Sequence, residues 1–66
     1  MIVAKQIIKD YLEAQSEIET FCKDIGLSRQ TIYNITEGKN VSSEVVAKLI
    51  TATGFDFEKA FEVKGD

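Results

Sequence analysis

The chain contains no histidine and a single cysteine. Without histidine it lacks the commonest metal ligand and the side chain that most often acts as a general base near neutral pH, so metal-dependent hydrolysis and triad chemistry are disfavoured. No metal or cofactor is expected. Cys22 alone cannot close an intramolecular disulfide, and a reducing, cytoplasmic setting is the simplest one for it; its expected role is that of a small buried packing residue. Long apolar runs are also missing. The opening stretch Met1–Asp10 is interrupted by Lys5, Gln6, Lys9 and Asp10, which makes it too polar for a secretory signal. Nothing approaches the roughly 20 apolar residues that a bilayer core requires, so no membrane association is expected. Phosphate-loop and dinucleotide signatures are absent, and no small-molecule ligand is expected. The carboxylate pairs Glu17/Glu19 and Glu58/Glu62 occupy surface-like positions, which gives acid/base hydrolysis little support, and the chain is not read as an enzyme.

What is present describes one small globular domain over residues 1–66. No Pro-rich or Gly/Ser-rich linker divides the chain, and no repeat appears at solenoid periods. Hydrophobic residues make up 44% and charged residues 29% of the 66, an ordinary globular balance. A domain of this size buries only about 60% of the surface its unfolded chain exposes, so help from a second copy is expected. The net charge of −3, with a pI of about 4.8, is unfavourable for a nucleic-acid binder unless the acid lies away from the binding face.

Hydrophobic spacing predicts an all-α bundle of about five short helices. Ala4, Ile7, Ile8, Tyr11 and Leu12 line one side of a helix over Ile2 to Ala14. Ser16 and Glu19 fit a capping box at the start of a second helix, in which Ile18, Phe21, Cys22 and Ile25 form an apolar stripe. Gly26 ends it in a positive-φ conformation and Leu27 turns back toward the core. Ser28 caps a third helix over Arg29 to Thr36, with Ile32 and Ile35 inward. Ser42 or Ser43 caps a fourth, with Val46, Leu49, Ile50 and Thr53 on one face, and Gly54 stops it. Asp56 caps a short last helix carrying Phe57, Ala60 and Phe61, and Val63 to Asp66 form a frayed tail. The cluster Phe55, Phe57 and Phe61 suits either core packing or a dimer surface. No strand is predicted.

The most informative segment is a helix-turn-helix core at about 17–36. Two helices joined at a steep angle need a small residue at the crossing, a glycine in the turn and apolar anchors beneath the second helix. Cys22, Gly26, Leu27, Ile32 and Ile35 supply them. On these residues, from about Ser16 to Phe61, the chain resembles the phage-repressor-like helix-turn-helix DNA-binding family, the Cro and lambda-repressor-like class. The run Phe21-Cys22-Lys23-Asp24-Ile25-Gly26-Leu27-Ser28-Arg29-Gln30-Thr31-Ile32 is similar to the family's helix, glycine turn, capping hydroxyl and recognition helix. Glu37-Gly38-Lys39 and Leu49 to Phe57 resemble its loop and closing helices.

The resemblance implies a sequence-specific transcriptional regulator, most plausibly a phage- or prophage-type repressor, binding double-stranded operator DNA through the major groove as a homodimer. It assigns Arg29, Gln30, Tyr33 and Asn34 to base contacts, and the chemistry agrees: Arg can bond guanine O6 and N7 together, and Gln and Asn can each make paired bonds to adenine. It assigns Ser28, Thr31, Lys39, Asn40 and Ser43 to DNA phosphates. Three positions depart from the pattern. Ile18 stands where the family often has a phosphate-binding glutamine, Thr36 where it favours glutamate, and Glu37 where asparagine or glycine is usual.

Charge is unevenly spread: residues 1–15 are neutral, 16–27 carry −2, 28–43 carry +1 and 44–66 carry −2. The acid therefore lies mostly away from the reading helix, except for Glu17 and Glu19. Those two keep a second reading open, in which the same fold is an antitoxin-like or anti-repressor module that binds protein.

Overall fold

The computed structural model describes residues 1–65. Five helices carry the chain: α1 (Gln6–Glu13), α2 (Ile18–Ile25), α3 (Arg29–Thr36), α4 (Ser43–Thr53) and α5 (Phe57–Ala60). A two-stranded antiparallel sheet joins its ends, pairing β1 (Ile2–Ala4) with β2 (Phe61–Val63). The fold is thus mostly helical but not all-α.

The strands correct two expectations. The first helix begins at Gln6 rather than Ile2, because Ile2-Val3-Ala4 pairs with Phe61-Glu62-Val63. Phe61 opens β2 instead of closing α5, and Val63 is part of a strand rather than of a frayed tail; Asp66 lies outside the described residues. The pairing extends past the strands, with Lys5 N–H donating to the Ala60 carbonyl (2.7 Å) and Lys64 N–H to that of Met1 (2.7 Å). Three-residue strands are too short to display a period of two, and their partners lie at opposite ends of the sequence. Local pattern could not reveal them.

On its other edge β1 is held by the loop after α3. The Ile2 N–H donates to Asn40 Oδ1 (2.9 Å), and the Val41 N–H donates to the Ile2 carbonyl (2.8 Å). Alternation along the ladder leaves the Phe61 carbonyl and both Val63 backbone groups pointing away from β1, along an open β2 edge.

The core gathers Ile8 and Leu12 of α1, Cys22 of α2, Ile32 and Ile35 of α3, Val46 and Leu49 of α4, and Ala60 and Phe61. Ile7, expected on the buried side of α1, is instead exposed. With the helix starting at Gln6, the inward stripe is Ile8, Tyr11 and Leu12. The phenylalanines resolve toward packing: Phe61 is fully buried, and Phe55 and Phe57 lie half-buried against the core. Tyr11 links two elements, tilted against Phe21 at 6.0 Å and edge-on to Phe55 at 5.7 Å.

Helix ends show which local signals act. Ser28 and Ser42 cap α3 and α4, each Oγ accepting from the backbone N–H three residues on, at 3.1 and 3.3 Å. The capping box at Ser16 does not form. The α2 N-cap is Glu17, one residue later, so Glu19 stands second rather than third in the helix and cannot reach back to a cap. Asp56 occupies the α5 N-cap but makes no side-chain cap bond.

Gly26 ends α2 at φ 74°, and the Leu27 N–H returns to the Cys22 carbonyl (3.0 Å) while that of Gly26 reaches Lys23 (3.3 Å). This paired closure requires the left-handed conformation at Gly26, where an L side chain costs about 1–2 kcal/mol. Gly38 closes α3 the same way, at φ 81°. No helix among the described residues is long and apolar enough to cross a membrane.

Candidate nucleic-acid interface

The residues Arg29, Gln30, Tyr33 and Asn34 share one face of α3, because positions i, i+1, i+4 and i+5 of a helix cluster on one side. Ile32 and Ile35 anchor the opposite face in the core. Tyr33 is 56% exposed, unusual for an aromatic ring in so small a domain. Gln30 Nε2 donates to Asn34 Oδ1 (3.0 Å), one turn along. This bond leaves the Asn34 amide nitrogen and the Gln30 carbonyl oxygen facing outward, so the pair offers one donor group and one acceptor side by side.

At the N-terminus of α3, the Ser28 and Thr31 hydroxyls lie 2.9 Å apart. One of their two protons is spent between them and the other is left to donate outward, which suits an anionic oxygen. Lys39 and Asn40 are exposed in the loop after α3, and Ser43 is exposed at the first turn of α4. Asn40 has a structural duty that sequence reasoning missed: its Oδ1 holds the Ile2 N–H, so only the amide nitrogen remains to donate.

Of the clefts that flank this face, two gather polar groups. One lies between α3 and the start of α4, where Thr31, Asn34, Asn40 and Ser42 bring polar groups together. The other lies at the start of α2 and is lined by Ser16, Glu17, Ile18, Glu19, Thr20 and Arg29. Lys39 and Ser43 line neither. In the second cleft Arg29 Nη1 meets Glu19 Oε1 at 3.3 Å, with both side chains mostly exposed. The position of Glu17 and Glu19 near α3 was legible in the sequence, but the Glu19–Arg29 contact spans ten residues and follows no helical period.

Lys48 of α4 closes the opposite side of the turn. Its Nζ donates to the Gly26 carbonyl (3.2 Å) and lies 3.8 Å from Glu44 Oε1, placing a cation at the C-terminal end of α2, where a helix dipole favours one. The chain matches no family model, no curated protein and no solved structure.

Proposed function

We propose that the chain is a sequence-specific DNA-binding regulator of the phage-repressor-like helix-turn-helix class, reading operator DNA in the major groove with α3. The observation that carries this reading is the outer face of α3: Arg29, Gln30, Tyr33 and Asn34 are together on a helix firmly anchored by Ile32 and Ile35 and capped by Ser28. Guanidinium, amide and aromatic groups on one rigid face match the donors, acceptors and methyl groups of a major groove. The flanking hydroxyls and amides supply sequence-independent anchorage to phosphates.

The homodimer in this reading is supported by the open edge of β2. Val63 shares the sheet face of Phe61 and Ile2, yet is 66% exposed. A second copy related by a two-fold axis at Val63 would pair the free backbone groups of both strands. It would also set Glu62 of each copy opposite Lys64 of the other, two favourable cross-strand pairs. Val63→Lys puts like charges face to face in that arrangement. Sedimentation equilibrium is expected to show dimer for the unaltered chain and monomer for Val63→Lys, with the helical circular dichroism retained and the melting temperature lowered only by the stabilisation that the dimer supplied. A strictly monomeric unaltered chain at high concentration would remove this part of the proposal.

The reading as a whole is tested by fluorescence titration with random genomic fragments at two salt concentrations. Binding is expected at low salt and weaker as salt rises, with a shallow slope because few cations face the DNA. Undetectable binding at low salt, or affinity indifferent to salt, would leave the protein-binding module as the better reading.

A further inference from the structure

We infer that Glu19 is a specificity-determining residue that withholds Arg29 from DNA phosphates and reserves it for a base edge; this rests on the DNA-binding reading of α3. Arg29 opens α3 and Glu19 lies in the first turn of α2, so their 3.3 Å contact crosses the helix-turn-helix on its outer side. Phosphate contacts carry no sequence information, whereas base contacts do. A free arginine at the rim of a reading helix bonds whichever phosphate is nearest, and so tightens binding to every sequence alike.

Glu19 changes this balance in two ways. It occupies one side of the guanidinium fork with an anionic oxygen, the chemistry that a phosphate would offer. It also places its own charge in the cleft beside Glu17, where a phosphate would otherwise approach the start of α2. The α2 N-cap, Glu17, makes no side-chain bond to the helix end. Arg29 is mostly exposed and shares the outer face of α3 with Gln30 and Tyr33, and only its Nη1 meets Glu19, which leaves donors for a guanine edge. Random DNA thus gains little from Arg29, while a correctly placed guanine gains it in full.

The test is a double-mutant cycle on random-sequence duplex DNA with Glu19→Gln and Arg29→Ala, alone and combined, followed across salt concentrations. Glutamine keeps the shape and an acceptor oxygen but gives up the charge. Releasing one arginine to one phosphate is expected to steepen the salt slope by about 0.9 and tighten random-sequence binding roughly eightfold at 0.1 M salt. The gain is expected to be clearly smaller when Arg29 is already alanine, where only the repulsion of DNA by the Glu19 charge is relieved. An equal gain in both backgrounds would show that Glu19 only repels DNA as a diffuse charge, and no gain in either would show that Arg29 is not withheld; each overturns the inference while leaving DNA binding intact. Both the unaltered chain and Glu19→Gln are expected to bind at low salt. If neither binds, both it and the DNA-binding reading fall.

Discussion

Phe61→Ala is expected to lower the melting temperature by at least about 15 °C, measured by circular dichroism at fixed protein concentration. The ring is fully buried, and it stacks on Phe57 with centroids 5.9 Å apart. Removing a buried phenylalanine costs about 3–5 kcal/mol, through lost transfer energy and the cavity left behind. A domain of this length has a total stability of only about 3–10 kcal/mol, so the loss consumes a large share of it. The effect is amplified because Phe61 is both a core residue and the first residue of β2: losing its packing also loosens the pairing that holds β1. A shift of under about 5 °C would mean that the ring is not the centre of this core.

The largest functional effect is expected from Arg29→Ala combined with Asn34→Ala. Arg29 is able to make a paired contact to one base, and Asn34 together with Gln30 to another, each worth about 1–3 kcal/mol of discrimination, so the double variant should lose roughly thirtyfold or more in preference for its selected sequences. Selection of binding sites from random oligonucleotides, followed by titration of the recovered sequences against random DNA, measures this. The fold should survive, since Arg29 is exposed and Asn34 is outside the buried core, with its side chain hydrogen-bonded to Gln30. The single variants separate the roles. Asn34→Ala should relax one base position with little change in random-sequence affinity, whereas Arg29→Ala should relax a guanine position and, by leaving the Glu19 charge unpaired, weaken random-sequence binding only modestly. Recovery of the same sequences at unchanged affinity would mean that α3 does not read DNA.

Much of the helical framework was legible because its signals are local. The stripe Ile18, Phe21, Cys22 and Ile25, the turn at Gly26 and the hydroxyl of Ser28 each act within one or two helical turns, and each does so in the structure. The outward set of α3 follows from the same spacing. The sheet was hidden because Ile2 and Val63 meet only after the whole chain has folded, and a run such as Ile2-Val3-Ala4 is equally compatible with a helix. Ser16 misled for a smaller reason: helix starts inferred from sequence err by a residue or two, and a capping box tolerates no such error. Asn40 and Glu19 escaped because their partners, Ile2 and Arg29, lie far along the chain, and a polar side chain does not announce which distant group it will bind.

The three residues of β1 have a place in the molecule that their length conceals. Ile2 faces Val63 across the ladder, and its own backbone groups hold Asn40 and Val41 on the opposite edge. One short strand therefore ties the edge offered to a second copy to the loop that follows the reading helix. Under the dimeric reading, a displacement at either edge is passed to the other through the same backbone. Under the proposed reading, assembly of two subunits and engagement of DNA then share a free energy, and thermodynamic linkage makes the exchange reciprocal: a dimer should hold DNA more firmly, and DNA should hold the dimer together.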